Sequence, residues 1–106
     1  MTNTVNRVVK PGDFVLERIR SASVTVAAGA DGQVNVDLTK PGYKLLGLNG
    51  FFKSGTGTDY CYFYEYWIDD GTLGLYNSPH GRVYFHNVGN TAATFIVDFI
   101  VLYVKE

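Results

Sequence analysis

The chain has one cysteine, one methionine, one tryptophan and three prolines among its 106 residues, and only 18% of it is charged. Each scarcity removes a class of protein. A single thiol, Cys61, closes no internal disulfide, so the fold is not the stapled kind of small secreted scaffolds. One cysteine does not supply a cysteine-based zinc site by itself either. Nine basic residues against ten acidic ones leave a formal net charge of −1, without the basic excess needed to bind many phosphates. Long apolar runs are missing too. The longest, Phe95 to Val104, is interrupted by Asp98 and falls well short of the roughly 20 residues of a membrane-spanning helix. The opening Met1-Thr2-Asn3-Thr4 lacks the basic-then-apolar build of a secretion signal. These features predict a soluble chain made in a reducing cytoplasm, with no nucleic-acid partner and no membrane insertion.

What is abundant is aromatic and turn-forming: 8 Tyr, 7 Phe and 12 Gly, in a chain that is 46% apolar. Such a composition buries too much to stay disordered, and its length suits one domain. Gly and Pro punctuate it at Pro11-Gly12, 29–32, Pro41-Gly42, 55–57, Asp70-Gly71, 78–81 and Gly89-Asn90. Between those points the segments are rich in Val, Thr, Phe and Tyr, which reads as strands. Val24 and Val26, then Val34, Val36 and Leu38, alternate with polar residues as half-buried strands do, and the 29–32 turn between them predicts a hairpin. Tyr43 to Lys53 is a longer strand in which Gly47 and Gly50 mark bulges. Thr72 to Asn77 and Arg82 to Asn87 are short strands. No window has a convincing helical period; Asp13 to Arg20 suits a strand better than a capped turn.

Two segments carry the candidate functional residues. From Tyr60 to Ile68, strict alternation would put Tyr60, Tyr62, Tyr64, Tyr66 and Ile68 on one face, with Cys61, Phe63, Glu65 and Trp67 on the other. Tyr60, Tyr62, Tyr64, Tyr66 and Trp67 are candidate ligand-binding residues, because such rings offer rigid area with a polar tip. The same alternation also suits a sandwich core or a subunit contact. From Thr94 to Val104, Phe95, Val97, Phe99, Val101 and Tyr103 share one face, while Ile96, Ile100, Leu102 and Val104 lie opposite with Asp98. A strand apolar on both faces needs cover on both. Ile96, Ile100, Leu102 and Val104 are therefore candidate oligomer-interface residues.

Signals for chemistry are weak. His80 and His86, with Asp69, Asp70 and Cys61 upstream, match no metal-ligand spacing. Asp69-Asp70-Gly71 lacks the later ligands of a calcium loop and reads as a turn. Cys61 with a histidine and Asp98 can be drawn as a triad, but nothing near Cys61 in sequence would lower its pKa. Glu65 has no evident second acid for glycoside hydrolysis. The Gly55-Thr56-Gly57-Thr58 stretch lacks the strand–loop–helix context of a phosphate cradle. No catalytic residue, metal or cofactor is expected.

Regular turns every 8–12 residues or so predict an all-β fold, an antiparallel sandwich of about eight strands. Residues 1–20 would be a strand or arm joined to the sandwich of 21–106. From Ser21 onward the chain resembles C-terminal domains of bacteriophage tail-fibre, baseplate and related virion proteins. The residues carrying that likeness are Val24-Thr25-Val26-Ala27-Ala28-Gly29, Lys40-Pro41-Gly42-Tyr43-Lys44-Leu45-Leu46-Gly47 and Gly55-Thr56-Gly57 before the Tyr-rich strand. Asn87-Val88-Gly89-Asn90-Thr91-Ala92-Ala93-Thr94 and the closing Val101-Leu102-Tyr103-Val104-Lys105 complete it. The resemblance implies a jelly-roll-like sandwich assembled as a homotrimer, located in the virion, serving its structure or attachment to a host-surface glycan. It contains no ligand motif. A small carbohydrate-binding sandwich is the competing reading.

Overall fold

A computed structural model describes residues 11–56, 60–72 and 77–106. Among them are a short 3-10 turn, Pro11–Asp13, and seven strands. These are β1 (Phe14–Arg20), β2 (Val24–Val26), β3 (Asp31–Asp37), β4 (Tyr43–Thr56), β5 (Cys61–Asp69), β6 (His80–Asn87) and β7 (Ala93–Lys105). All pairings are antiparallel. In the first sheet β7 is central, with β1 and β2 end to end along one side and β4 along the other. The second sheet runs β3-β6-β5. The first strands pair the last strand while β3 pairs β6, so the chain is rolled up from both ends as in a jelly roll. The fold is an all-β antiparallel sandwich. The expected strand from Thr72 to Asn77 falls largely on residues 73–76, outside the described residues.

The core follows from the alternation in β7. Phe95, Val97, Phe99, Val101 and Tyr103 are fully buried between the sheets. Val34, Val36, Leu38, Val83 and Phe85 meet them from the second sheet, with the Phe85 and Phe95 rings edge to face at 5.0 Å. Gly81 leaves room there: a Cβ would lie 3.1 Å from the Phe99 ring and 3.2 Å from Leu38.

Three readings of the sequence are altered. Val24–Val26 and the strand after the 29–32 turn form no hairpin. β2 pairs β7 and β3 pairs β6, so the chain crosses there from one sheet to the other. Alternation is the same for a hairpin and for such an arch; the two differ only in strand pairing, and the arch packs Gly32 so close to Val26 that a Cβ there would come within 2.6 Å of Val26 Cγ2. The aromatic strand does not alternate strictly either, because β5 slips register against β6 between Phe63 and Glu65. The strand foreseen over Tyr43 to Lys53 runs on through Gly55 to Thr56. The bulges foreseen at the β4 glycines do occur, between Leu45 and Gly47 and between Leu48 and Gly50.

Candidate functional site

The register defines what each sheet shows on its outer face. On the second sheet, β6 turns Gly81, Val83, Phe85 and Asn87 inward. Its outward residues then stand in rows across the sheet: Asp31, His86 and Tyr62; Gln33, Tyr84 and Glu65; Asn35, Arg82 and Trp67. The bulged Tyr64 joins the second row, its ring 6.1 Å from that of Tyr84 at 33°. Polar side chains of β3 thus line one side and rings of β5 the other.

The central strand links them. Arg82 stacks its guanidinium 5.1 Å from the Trp67 ring and 5.9 Å from the Tyr84 ring, and donates from Nη1 to the Tyr84 hydroxyl at 3.1 Å. Such contacts hold both rings in place. His86 Nδ1 and Asp31 Oδ1 are 2.7 Å apart. Asp31, Gly32, Gln33, Tyr64 and Tyr84 line a shallow cleft.

Of the five aromatic candidates, Tyr62, Tyr64 and Trp67 share this face. Tyr66 falls on the opposite one, because the slip after Phe63 turns it to the side of β4; it meets Phe51 there at 5.5 Å, beside Phe63, and both Tyr66 and Phe63 stay exposed. Tyr60 precedes the strand, where its carbonyl accepts from Val88 N–H at 2.8 Å. No comparison with protein-family models, curated proteins or solved structures matches this chain. The site is therefore described from its own chemistry.

The first sheet has a contrasting outer face. Ile96, Ile100, Leu102 and Val104 of β7 lie on it beside Phe14 and Leu16 of β1 and Phe52 of β4, with Leu46 at the bulge. Phe14, Leu16, Leu46 and Phe52 are exposed, Ile96, Ile100 and Leu102 half-buried, and Val104 buried. Gly47 and Gly50 pair with Leu102 and Ile100, and a Cβ on either would meet nothing within 4 Å. The face therefore carries a ridge at Phe14 and Leu16 and a trough along the β4 glycines. Its one acid, Asp98, is 0% exposed. Arg20 neutralises it, donating from Nε at 2.9 Å and Nη2 at 3.1 Å. That bond holds the Asp98 carboxyl below its ordinary pKa, against the opposing pull of burial.

The residues that can be drawn as a nucleophilic triad are not brought together. Cys61 is buried facing the core from β5, and burial pushes its thiol upward. Asp98 faces away from the core on the other sheet. His80 and His86 stand at opposite ends of β6, and no three potential metal ligands gather among the described residues. Sequence reasoning missed Asp31, Gln33, Tyr84 and Arg82 in one site, and Phe14, Leu16, Leu46 and Phe52 in the other. The polar alternation of β3 was visible; its place beside the aromatic strand was not.

Proposed function

We propose that this chain is a structural subunit of a bacteriophage or prophage virion, in a tail tip, a fibre or a capsid decoration, which works by assembling with copies of itself. The observation supporting self-assembly is the apolar outer face of the first sheet. It spans three strands, its central acid is already neutralised by Arg20, and Arg18, which stands on it opposite Ile100, lays its guanidinium over the Phe52 ring at 5.5 Å. The ridge on β1 and the trough on β4 lie on opposite sides of β7, so each copy can seat its ridge in the trough of the next, a head-to-tail contact that closes as a ring. The resemblance to fibre-end domains supplies the virion setting and the preference for three copies. The aromatic face of the second sheet remains clear for a host-surface glycan, a role of binding without catalysis.

Sedimentation equilibrium at micromolar concentration tests the assembly. The expected mass is that of three 11.7 kDa chains. A dimer would overturn the number, and a lone monomer the self-assembly itself. Flanking tail, portal or lysis genes would support the virion setting. A polysaccharide-utilisation cluster beside the gene would favour the second reading, a small carbohydrate-binding module, for which the Tyr62, Tyr64 and Trp67 face is the supporting feature.

A further inference from the structure

The cleft on the second sheet has two unlike walls. One is aromatic: Tyr64, pushed outward by the bulge, and Tyr84, tilted 33° to it with centroids 6.1 Å apart. The other is polar, with Gln33 and Asp31 on β3 and the backbone of Gly32 between them. Gln33 offers two donors and an acceptor, and the Asp31 carboxylate accepts more bonds than the one shared with His86. A pyranose ring has the matching division, an apolar C–H face bounded by hydroxyls that both donate and accept. Rings that supply the apolar contact and a few placed polar groups that fix orientation are the usual makeup of a small-ligand site.

Charge narrows the class of sugar. Two carboxylates, Asp31 and Glu65, flank the cleft, while the nearby cation of Arg82 is stacked on Trp67 and bonded to the Tyr84 hydroxyl. The Tyr64 hydroxyl registers the resulting field. It is held above its ordinary pKa first by the partial loss of water beside the neighbouring side chains, then by the charges of Asp31 and Glu65. An anionic sugar entering here would meet like charge.

We propose that the cleft formed by Asp31, Gln33, Tyr64 and Tyr84 binds a neutral sugar residue of a glycan chain and rejects sialylated and uronic-acid sugars. This deepens the glycan part of the functional reading and rests on it; it does not depend on self-assembly.

The labelled protein is applied to a printed array of neutral hexose and N-acetylhexosamine glycans together with sialylated and uronic-acid glycans. Neutral glycans are expected to be retained and acidic ones not. Tyr64→Ala and Gln33→Ala are each expected to weaken retention about ten-fold, the loss of roughly one good contact. Both side chains are exposed, and an unchanged circular-dichroism melt confirms that the variants fold. Failure to retain any neutral glycan, equal retention of acidic ones, or variants that bind like the parent would each overturn the proposal. Sedimentation of the same samples separates the two readings. An assembled protein that binds no glycan sinks only this inference, and a monomer that binds one sinks only the self-assembly.

Discussion

The Tyr103 hydroxyl donates to the Leu38 carbonyl at 2.6 Å, joining the central strand of one sheet to the end of β3 in the other. Both residues are fully buried, so each polar group has the other in place of water. Burial is the main cause that pushes the Tyr103 hydroxyl up to about 12 from its ordinary value of 10.0, with the charges of Glu17 and Asp37 adding to it. The folded state thus holds this proton more tightly than the unfolded chain does. Its contribution is complete below about pH 10 and is lost as pH rises through about 12, a loss on the order of 2–3 kcal/mol. Tyr103→Phe leaves the Leu38 carbonyl bare and should cost about 1–3 kcal/mol at neutral pH. Urea unfolding of parent and variant at rising pH checks both parts, because the gap between them should close as the solution becomes strongly alkaline.

Asn87 ties the two arches at one end of the sandwich. Its Nδ2 donates to Val26 O at 3.0 Å and Thr91 O at 2.9 Å, while Oδ1 accepts from Gly89 N–H at 2.9 Å. Its backbone bonds Ala30 and Gly29. Asn87→Ala removes all three side-chain bonds from a buried site and should cost about 3 kcal/mol. Asn87→Leu should recover none of that, since it fills the space without satisfying Val26 O. A leucine variant as stable as the parent in chemical denaturation would show that volume alone matters here.

The inward face of β7 was legible because five large apolar residues recur at period two, and the β4 bulges because glycines mark them. The β5 bulge at Tyr64 had no such mark: four tyrosines at even spacing look the same whether or not the register slips. That one slip moved Tyr66 to the other side of the sheet. Asp98 was visible as the odd residue in an apolar strand, yet its partner Arg20 lies 78 residues away, a distance that local pattern does not reach. Most of the cleft on the second sheet was hidden for the same reason. Tyr64 sits in the conspicuous strand, but Asp31, Gln33 and Tyr84 join it only through the β3-β6-β5 order.

The Arg20–Asp98 pair predicts an acid dependence of definite sign. With its pKa lowered when folded, Asp98 contributes stability above the ordinary carboxylate range and loses it as pH falls through the folded value. Arg20→Ala leaves a buried carboxylate without its partner and should destabilise the protein most at neutral pH. Acidification protonates Asp98 in both proteins, so the difference should shrink as pH falls through the ordinary carboxylate range and on below it, where the paired carboxyl of the parent titrates. Guanidinium-induced unfolding across that range is the measurement. A difference that stays constant would mean that Arg20 acts through its packing alone.

The two sides of β7 should respond differently to the same insult. Val101 faces the core with no exposure, whereas Leu102 is half-buried on the outer face beside Leu16, which is 60% exposed. A carboxylate placed at Val101 is trapped among apolar side chains and should prevent folding. At Leu102 or Leu16 it reaches water in the isolated chain, but would be stranded once a second copy covers the face. Leu102→Asp and Leu16→Glu should therefore give folded proteins with a cooperative melt whose sedimentation mass is that of a single chain. Retention of the assembled mass by both variants would place the subunit contact elsewhere on the molecule. Unfolding of Leu102→Asp with Leu16→Glu folded and monomeric would still locate the contact on this face, since Leu16 is a residue the fold itself leaves in water.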